Sequence, residues 1–288
     1  MTDSARIPIP GTWNLRRAGA TVDPAILAPG RLLRSDSIDA LGDAGRTGLA
    51  ELGVTTVVDL RSPEESRAHP DDLEGMDVDA VHLPVFSGSA ADWAPGPGGS
   101  ADRASDTRSG RGDSSLPAGD VNLEVVYAFM TERGGDALAG ALRAVATAPG
   151  AALVHCTAGK DRTGMVVALA LTVAGASRDE VAADYAWSET LLAGEWAERN
   201  SERVRLLGWR VDGPYEELAF RSPESAIRGA FAALEERHGS IDGYLDGIGF
   251  GADDRDVLRA TLAAPVAAAA REVAAQAAQP VVGGGSAR

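Results

Sequence analysis

The sequence predicts an α/β fold in which a mainly parallel sheet is flanked by helices. Short β-branched runs alternate with longer helical patterns along the chain, as a parallel sheet with helical crossovers requires. The run "VTTVVDLRS" at 54–62 is continuous and β-branched, which is typical of a strand buried on both faces. The pattern at 163–175 is apolar on every helical face, so this helix is expected to lie in the core.

The other elements follow from the same patterns. The first 30 residues contain four prolines and are expected to be irregular. In chain order, the patterns predict a strand at 31–37, a helix at 39–53 ending at Gly53, the strand at 54–62, a strand at 78–86, two helical segments within 120–150 broken at Gly134 and Gly135, a strand at 151–156, the helix at 163–175, a helix within 177–208, a helix from 222 to 239 and two short helices within 238–265.

Two helix starts carry capping signals. Ser177 and Glu180 have the spacing of a capping box. In "SPES", Ser222 is expected to be the N-cap, with Pro223 at the first helical position.

The chain is expected to form one domain over residues 1–265. Its 288 residues suit a single large domain with a sizeable core. Residues 87–119 are rich in Gly, Ser, Pro and Asp, which predicts a long mobile loop of unassigned role. Residues 266–288 are rich in Ala and Gly and are expected to be a disordered tail.

The net charge of −15 argues against nucleic acid and anionic membrane as partners, because both require a basic surface. The sequence contains no run of 18 apolar residues and its start lacks the apolar segment of a signal peptide. We therefore expect a cytoplasmic monomer without membrane insertion. The four histidines are dispersed without metal-binding spacing, so no cofactor or metal is expected.

Two single-copy residues mark the candidate site. Cys156 is the only cysteine, and Lys160 is the only lysine among 27 basic residues. Both lie between the strand at 151–156 and the helix at 163–175. That position is where α/β sheets bind ligands and where free N–H groups at a helix start attract anions.

The loop from Cys156 to Arg162 has the chemistry of a phosphate cradle. Backbone N–H groups can ring an oxyanion, and a cysteine at a helix start beside basic residues favours the thiolate form. Arg162 can bind two phosphate oxygens with its planar fork, and the hydroxyl of Thr163 can stabilise the sulfur as a leaving group. The predicted substrate-binding residues of the loop are Thr157, Ala158, Gly159, Lys160 and Thr163. A thiolate below the phosphorus predicts covalent catalysis through a cysteinyl-phosphate.

"HCTAGKDRTG" resembles the H-C-x-x-G-x-x-R-[S/T]-G signature of cysteine-dependent protein tyrosine phosphatases. The segments "WNLRRAG", "GRLLRSDSI", "TTVVDLRSPEE" and "DYAWSE" resemble the bacterial triple-specificity group, over roughly residues 10–262. This resemblance implies a tyrosine phosphatase fold and metal-independent hydrolysis of phosphotyrosine, phosphoserine/threonine and phosphoinositides. It also implies a two-helix lid near 186–220, and it leaves export without a signal peptide as an alternative location.

The general acid remains open among three aspartates. Asp161 lies inside the loop, and the resembled group shares an aspartate there. Asp59 ends a strand at the same sheet edge, where it could orient Arg162 or Lys160. Asp120 lies 36 residues before Cys156, as the acid does in most tyrosine phosphatases, but it also suits a helix N-cap. Asp161 is the first choice and Asp59 the second.

Lys160 is predicted to meet further substrate phosphate at the rim of the cradle. Two other functions share parts of this pattern. A catalytically weak phospho-binding module would use the same cradle without turnover. A sulfurtransferase of rhodanese type also places a cysteine in a loop at a strand end, although "GKDRTG" suits phosphate better.

Overall fold

The structure is a computed structural model that describes residues 6–86, 122–198 and 220–266. The strands are β1 (Arg16–Arg17), β2 (Leu32–Ser35), β3 (Val54–Asp59), β4 (Asp79–His82) and β5 (Ala151–His155). The helices are α1 (Gly42–Glu51), α2 (Pro63–Ala68), α3 (Leu123–Arg133), α4 (Gly135–Thr147), α5 (Asp161–Ala174), α6 (Arg178–Leu192), α7 (Glu224–His238), α8 (Ile241–Gly247) and α9 (Ala252–Ala263).

The strands form one mainly parallel sheet in the order β1-β2-β5-β3-β4. β5 is central and pairs in parallel with β2 and β3, and β4 pairs in parallel with β3. The predicted fold class is therefore confirmed. The expectation that the first 30 residues are irregular is wrong at β1, because Arg16 and Arg17 pair antiparallel with Arg34 and Leu33.

Alternate residues of the central strands enter two separate cores. Val58 and Val154 belong to a large core with the helices α3 to α9, whereas Val57 and Leu153 face a smaller one that includes Leu49 of α1. Both faces of the sheet are thus covered, which explains the unbroken apolar runs in the sequence.

α5 confirms the prediction of a buried helix. It packs against β5, β2 and the helices α4, α6 and α9. All its residues are buried except Asp161 at its start and Thr172. The helix ends at Gly175, whose φ of +104° lies in the left-handed region. α6 then begins with the predicted capping box, because Ser177 accepts from the backbone of Glu180 while the Glu180 carboxylate accepts from the backbone of Ser177.

Two predicted helix starts need correction. The N-cap of α7 is Pro223, not Ser222, because the Ser222 hydroxyl accepts from the backbone N–H of Glu189 at 2.8 Å and donates to the carbonyl of Ala186 at 3.1 Å. The N-cap of α3 is Asn122, not Asp120, because the Asn122 side chain accepts from the backbone N–H of Val125.

Several predictions concern residues outside the described ranges. These are Asp120, the loop at 87–119, most of the proposed lid at 186–220 and nearly all of the tail at 266–288. Within the described part of 186–220, α6 ends at Leu192. Across the described residues, the structure contains no helix of the length and apolarity needed to cross a bilayer.

Candidate active site

The loop of Cys156 to Arg162 lies at the carboxyl end of the central strand. Cys156 follows β5 directly and is 2% exposed, and α5 begins at Asp161. The loop therefore lies at the centre of the carboxyl edge of the sheet, beside the start of a long buried helix. This is the position that the sequence predicts for an anion site.

Three successive carbonyl groups of the loop are tied to the protein behind it. The Asn14 side chain donates to the carbonyls of Ala158 at 2.8 Å and Gly159 at 3.1 Å, and the Thr157 carbonyl accepts from the backbone of Ser37 at 3.1 Å. In a trans peptide, the N–H of the following residue points away from the carbonyl oxygen. The N–H groups of residues 158–160 are therefore directed toward the inside of the loop.

Gly159 allows this turn to pack closely against β2. Its φ of +65° lies in the left-handed region, and a Cβ at this position would lie 2.2 Å from the carbonyl oxygen of Ser35. The sequence therefore needs glycine here for both the backbone conformation and the space.

A buried ionic network holds the loop from behind. Arg34 donates to the Gly159 carbonyl at 2.7 Å and to the Asp184 carboxylate at 2.5 Å. Arg16 donates to the backbone carbonyl of Asp184 at 2.9 Å. The second carboxylate oxygen of Asp184, Oδ1, accepts from the backbone N–H of Gly19 at 3.0 Å. Burial raises the pKa of Asp184, but the charges of Arg34 and Arg16 outweigh it and hold the pKa below its ordinary value.

Asp36 fixes the turn that carries Asn14. Its carboxylate accepts from the backbone N–H groups of Trp13 at 3.0 Å and Asn14 at 2.8 Å. Complete burial raises the pKa of Asp36 to about 6, although both hydrogen bonds favour its charged form.

Arg162 is oriented by a carboxylate from α2. The Glu65 oxygens accept from Nη1 of Arg162 at 2.6 Å and from Nη2 at 3.0 Å, and Glu65 also accepts from the Thr157 hydroxyl at 2.5 Å. Glu65 thus occupies the two terminal nitrogens of the Arg162 guanidinium. The edge on the Nε side is the one that a phosphate can bind. Burial raises the pKa of Glu65, but the Arg162 charge and hydrogen bonds lower it by more, to about 2.

Burial lowers the pKa of Arg162, yet the negative charges of Glu65 and then Cys156 raise it above its ordinary value. Cys156 and Arg162 lie at the two ends of the same loop, between the end of β5 and the first turn of α5. The structure therefore brings the predicted nucleophile and the predicted phosphate ligand together.

Comparison with known proteins agrees with this arrangement. The model of the tyrosine phosphatase family matches residues 7–264. The chain belongs to the tyrosine phosphatase family.

Curated relatives of this phosphatase support the assignment. It is 32% identical over 256 residues to the triple specificity protein phosphatase PtpB of Mycobacterium tuberculosis, covering 82% of this chain and 91% of that one. It is 31% identical over 224 residues to a putative tyrosine-protein phosphatase of Cupriavidus necator, covering 75% and 73% of the two chains. A tyrosine-protein phosphatase of Nostoc commune is 28% identical over 233 residues, covering 80% of this chain and 73% of that one.

Lys160 lies deeper than the rim of the cradle, where the sequence predicts it. Its side chain is fully buried, and Nζ donates to the backbone carbonyl of Arg221 at 2.8 Å. Nζ also lies 3.7 Å from one carboxylate oxygen of Asp161, which is a quarter exposed. The ammonium therefore adds positive charge beside the loop of the phosphatase from a buried position.

Asp59 does not orient Arg162 or Lys160, which corrects the sequence prediction. Its carboxylate accepts from Arg61 through the backbone N–H, Nε and Nη2 at 2.8 to 2.9 Å. Burial raises the pKa of Asp59, but the bonds to Arg61 and the charge of His155 lower it to about 2. Glu65, not Asp59, orients Arg162.

Asp59 also belongs to a group that sequence spacing does not reveal. Its ligand-type atoms lie within 4.8 Å of those of Asp71 and His155. The Arg61 guanidinium donates to both carboxylates, to Asp71 at 2.6 Å, and His155 Nε2 lies 3.1 Å from Asp71. The protein therefore supplies its own cation to this cluster.

The Thr163 hydroxyl is buried and has no hydrogen-bond partner within the described ranges. The predicted bond to the sulfur is therefore not formed in this arrangement. A role for Thr163 in stabilising the leaving sulfur remains a prediction.

Four residues that shape the site were not predicted from the sequence. Asn14, Arg34 and Asp184 lie in "WNLRRAG", "GRLLRSDSI" and "DYAWSE", and Glu65 lies in "DLRSPEE". The only signal in the sequence is that these residues lie in polar segments. The segments are far apart in sequence and come together only in the folded chain.

Replacing Glu65 by glutamine is expected to lower kcat/KM for p-nitrophenyl phosphate by about 10- to 100-fold, because a misplaced guanidinium no longer presents its Nε side to phosphate. Steady-state kinetics measure this. Glu64→Gln is the matched control on the same helix, since Glu64 pairs with Arg67 at the surface, and we expect about a twofold change or less. Equal rates for the two variants would contradict the role of Glu65.

Proposed function

We propose that this phosphatase hydrolyses phosphate monoesters through a covalent cysteinyl-phosphate on Cys156. The observation that carries the proposal is the burial of Cys156 beneath a loop whose carbonyls are tied outward, beside an Arg162 that Glu65 orients. A dianionic phosphoryl group fits this site, because inward N–H groups and one guanidinium edge face its oxygens.

In the first step, the Cys156 thiolate attacks phosphorus, and a sulfur–phosphorus bond forms as the bond to the leaving oxygen breaks. The Arg162 guanidinium stabilises the charge on the equatorial oxygens. The leaving oxygen takes a proton from Asp161, the loop carboxyl that reaches solvent.

In the second step, water attacks phosphorus and gives a proton to Asp161, and the bond from phosphorus to Cys156 breaks. Inorganic phosphate leaves and the thiolate is restored. Thr163 is proposed to donate to the sulfur as it leaves. Two ordinary displacements thus replace one difficult hydrolysis.

The proposed substrates are phosphotyrosine, phosphoserine/threonine and phosphoinositides. The name of the Mycobacterium tuberculosis relative supports a triple specificity. Lys160 is proposed to stabilise further negative charge on the substrate, since a buried ammonium acts through a low dielectric.

A comparison of kcat/KM on a phosphotyrosine peptide, a phosphoserine peptide and a phosphoinositide tests this function. We expect turnover of all three. Turnover of phosphotyrosine alone would overturn the broad specificity. Binding of the peptides without any turnover would instead favour a phospho-binding module.

A further inference from the structure

Two tyrosines connect Asp161 to the core. Tyr127 of α3 and Tyr185 of α6 are each 1% exposed, and their hydroxyl oxygens lie 2.7 Å apart. The Tyr127 hydroxyl also lies 3.0 Å from Oδ1 of Asp161. The rings meet edge to face, with centroids 6.1 Å apart.

The chemistry of these groups fixes the direction of donation. Each phenol carries one proton, and an ionised carboxylate can only accept. Tyr127 therefore donates to the ionised carboxylate that remains after proton transfer, and Tyr185 donates to Tyr127. Burial, and next the charge of Asp161, raise the pKa of both tyrosines, so both keep their protons at neutral pH.

The second oxygen of Asp161 faces a different group. Oδ2 lies 3.7 Å from Nζ of Lys160, which is itself held by the Arg221 carbonyl. One carboxylate oxygen is thus fixed by a hydroxyl chain and the other by an ammonium. The side chain is still a quarter exposed, so it can reach a group that enters from solvent.

We propose that Tyr127 and Tyr185 are positioning residues that hold the Asp161 carboxyl in the orientation required for proton transfer. The proposal rests on the proposed role of Asp161 in catalysis. Linked hydrogen bonds strengthen one another, so Tyr185 supports the donation from Tyr127 without touching Asp161. Neither tyrosine is expected to contact substrate.

The test is the dependence of rate on the leaving group. Phenyl phosphate needs a proton for its basic leaving oxygen, whereas p-nitrophenyl phosphate needs this far less. We expect Tyr127→Phe to lower kcat about 10-fold on phenyl phosphate and about 2-fold on p-nitrophenyl phosphate, a part of the full general-acid effect. Tyr185→Phe should show the same selectivity at about 3-fold.

Tyr244→Phe is the matched control. Tyr244 is equally buried, and its hydroxyl donates to the Thr131 carbonyl at 3.0 Å, without contact to Asp161. It should leave the ratio of the two rates at the wild-type value. A loss of stability alone would lower the rates on both substrates in proportion. Only the positioning role changes their ratio.

A double-mutant cycle with Asp161→Asn separates the two proposals. If Tyr127 acts through Asp161, Tyr127→Phe causes no further loss in the Asp161→Asn background. A selective loss in Asp161→Asn with none in Tyr127→Phe, or additive losses, would overturn the positioning role alone. An Asp161→Asn enzyme without a selective loss would overturn the role of Asp161 and the positioning role with it.

Discussion

Replacing Cys156 by serine is expected to lower turnover of p-nitrophenyl phosphate by about 10⁴-fold or more, the order of effect seen when a covalent nucleophile is removed. Serine fills nearly the same space, so the buried loop should keep its shape. Its hydroxyl keeps its proton at neutral pH and attacks phosphorus poorly. Steady-state assays at saturating substrate measure the loss.

A binding control distinguishes lost chemistry from a lost fold. Inorganic phosphate should raise the thermal midpoint of both wild type and Cys156→Ser, because a ligand that binds only the folded state stabilises it. Cys156→Ser with more than about one tenth of the wild-type rate would contradict the nucleophile assignment, because a serine hydroxyl at this position attacks phosphorus poorly.

The second large effect is expected for Asp184→Asn. Asp184 balances Arg34 and Arg16, all three buried. Removing its charge leaves two guanidinium groups buried without their carboxylate, so the free energy of unfolding should fall by about 3–5 kcal/mol. Activity should fall as well, because Arg34 also holds the Gly159 carbonyl. Denaturant unfolding measures the stability loss.

Asp179→Asn is the matched control on the same helix. Asp179 pairs with Arg228 but its side chain is 90% exposed, so its loss should cost about 1 kcal/mol or less. A loss of that small size for Asp184→Asn would contradict the importance of the network.

The effect of Asp184 should also depend on pH. Its folded-state pKa is lower than the ordinary value of 3.8, so its stabilisation is fully present above that value. It is lost as the pH falls through the folded-state pKa. The difference in the free energy of unfolding between wild type and Asp184→Asn should therefore shrink only in strong acid.

The parts of the molecule that sequence predicted well depend on local interactions. The capping box of Ser177 and Glu180 needs only residues three apart, and the apolar helix α5 is marked by its own composition. The loop of the site belongs to this class too, because a strand, a spaced motif and a helix are contiguous in sequence.

The errors came from contacts between distant segments. Ser222 had the residue type of an N-cap, but Glu189 and Ala186 of another helix take its hydroxyl. Lys160 had the composition of a rim residue, yet the Arg221 carbonyl holds it in a buried position. Sequence patterns do not show which partner lies nearby once the chain has folded.

The choice between carboxylates shows the same limit. Asp59 ends β3 and Glu65 lies six residues further on, so either could face Arg162 from that edge of the sheet. Arg61, two residues after Asp59, takes the nearer carboxylate, and the start of α2 turns Glu65 toward the loop. Only the three-dimensional path of the chain decides between them.

The most direct test of the mechanism is the detection of phosphate on Cys156. The enzyme is mixed with substrate, quenched in acid within milliseconds and digested, and the peptides are analysed by mass spectrometry. Because the chain has one cysteine, a phosphorylated thiol can be assigned without ambiguity. We predict phosphate on the peptide that contains Cys156 during turnover and its disappearance once substrate is consumed. Phosphate on a different residue, or turnover without any phosphorylated Cys156, would contradict the account.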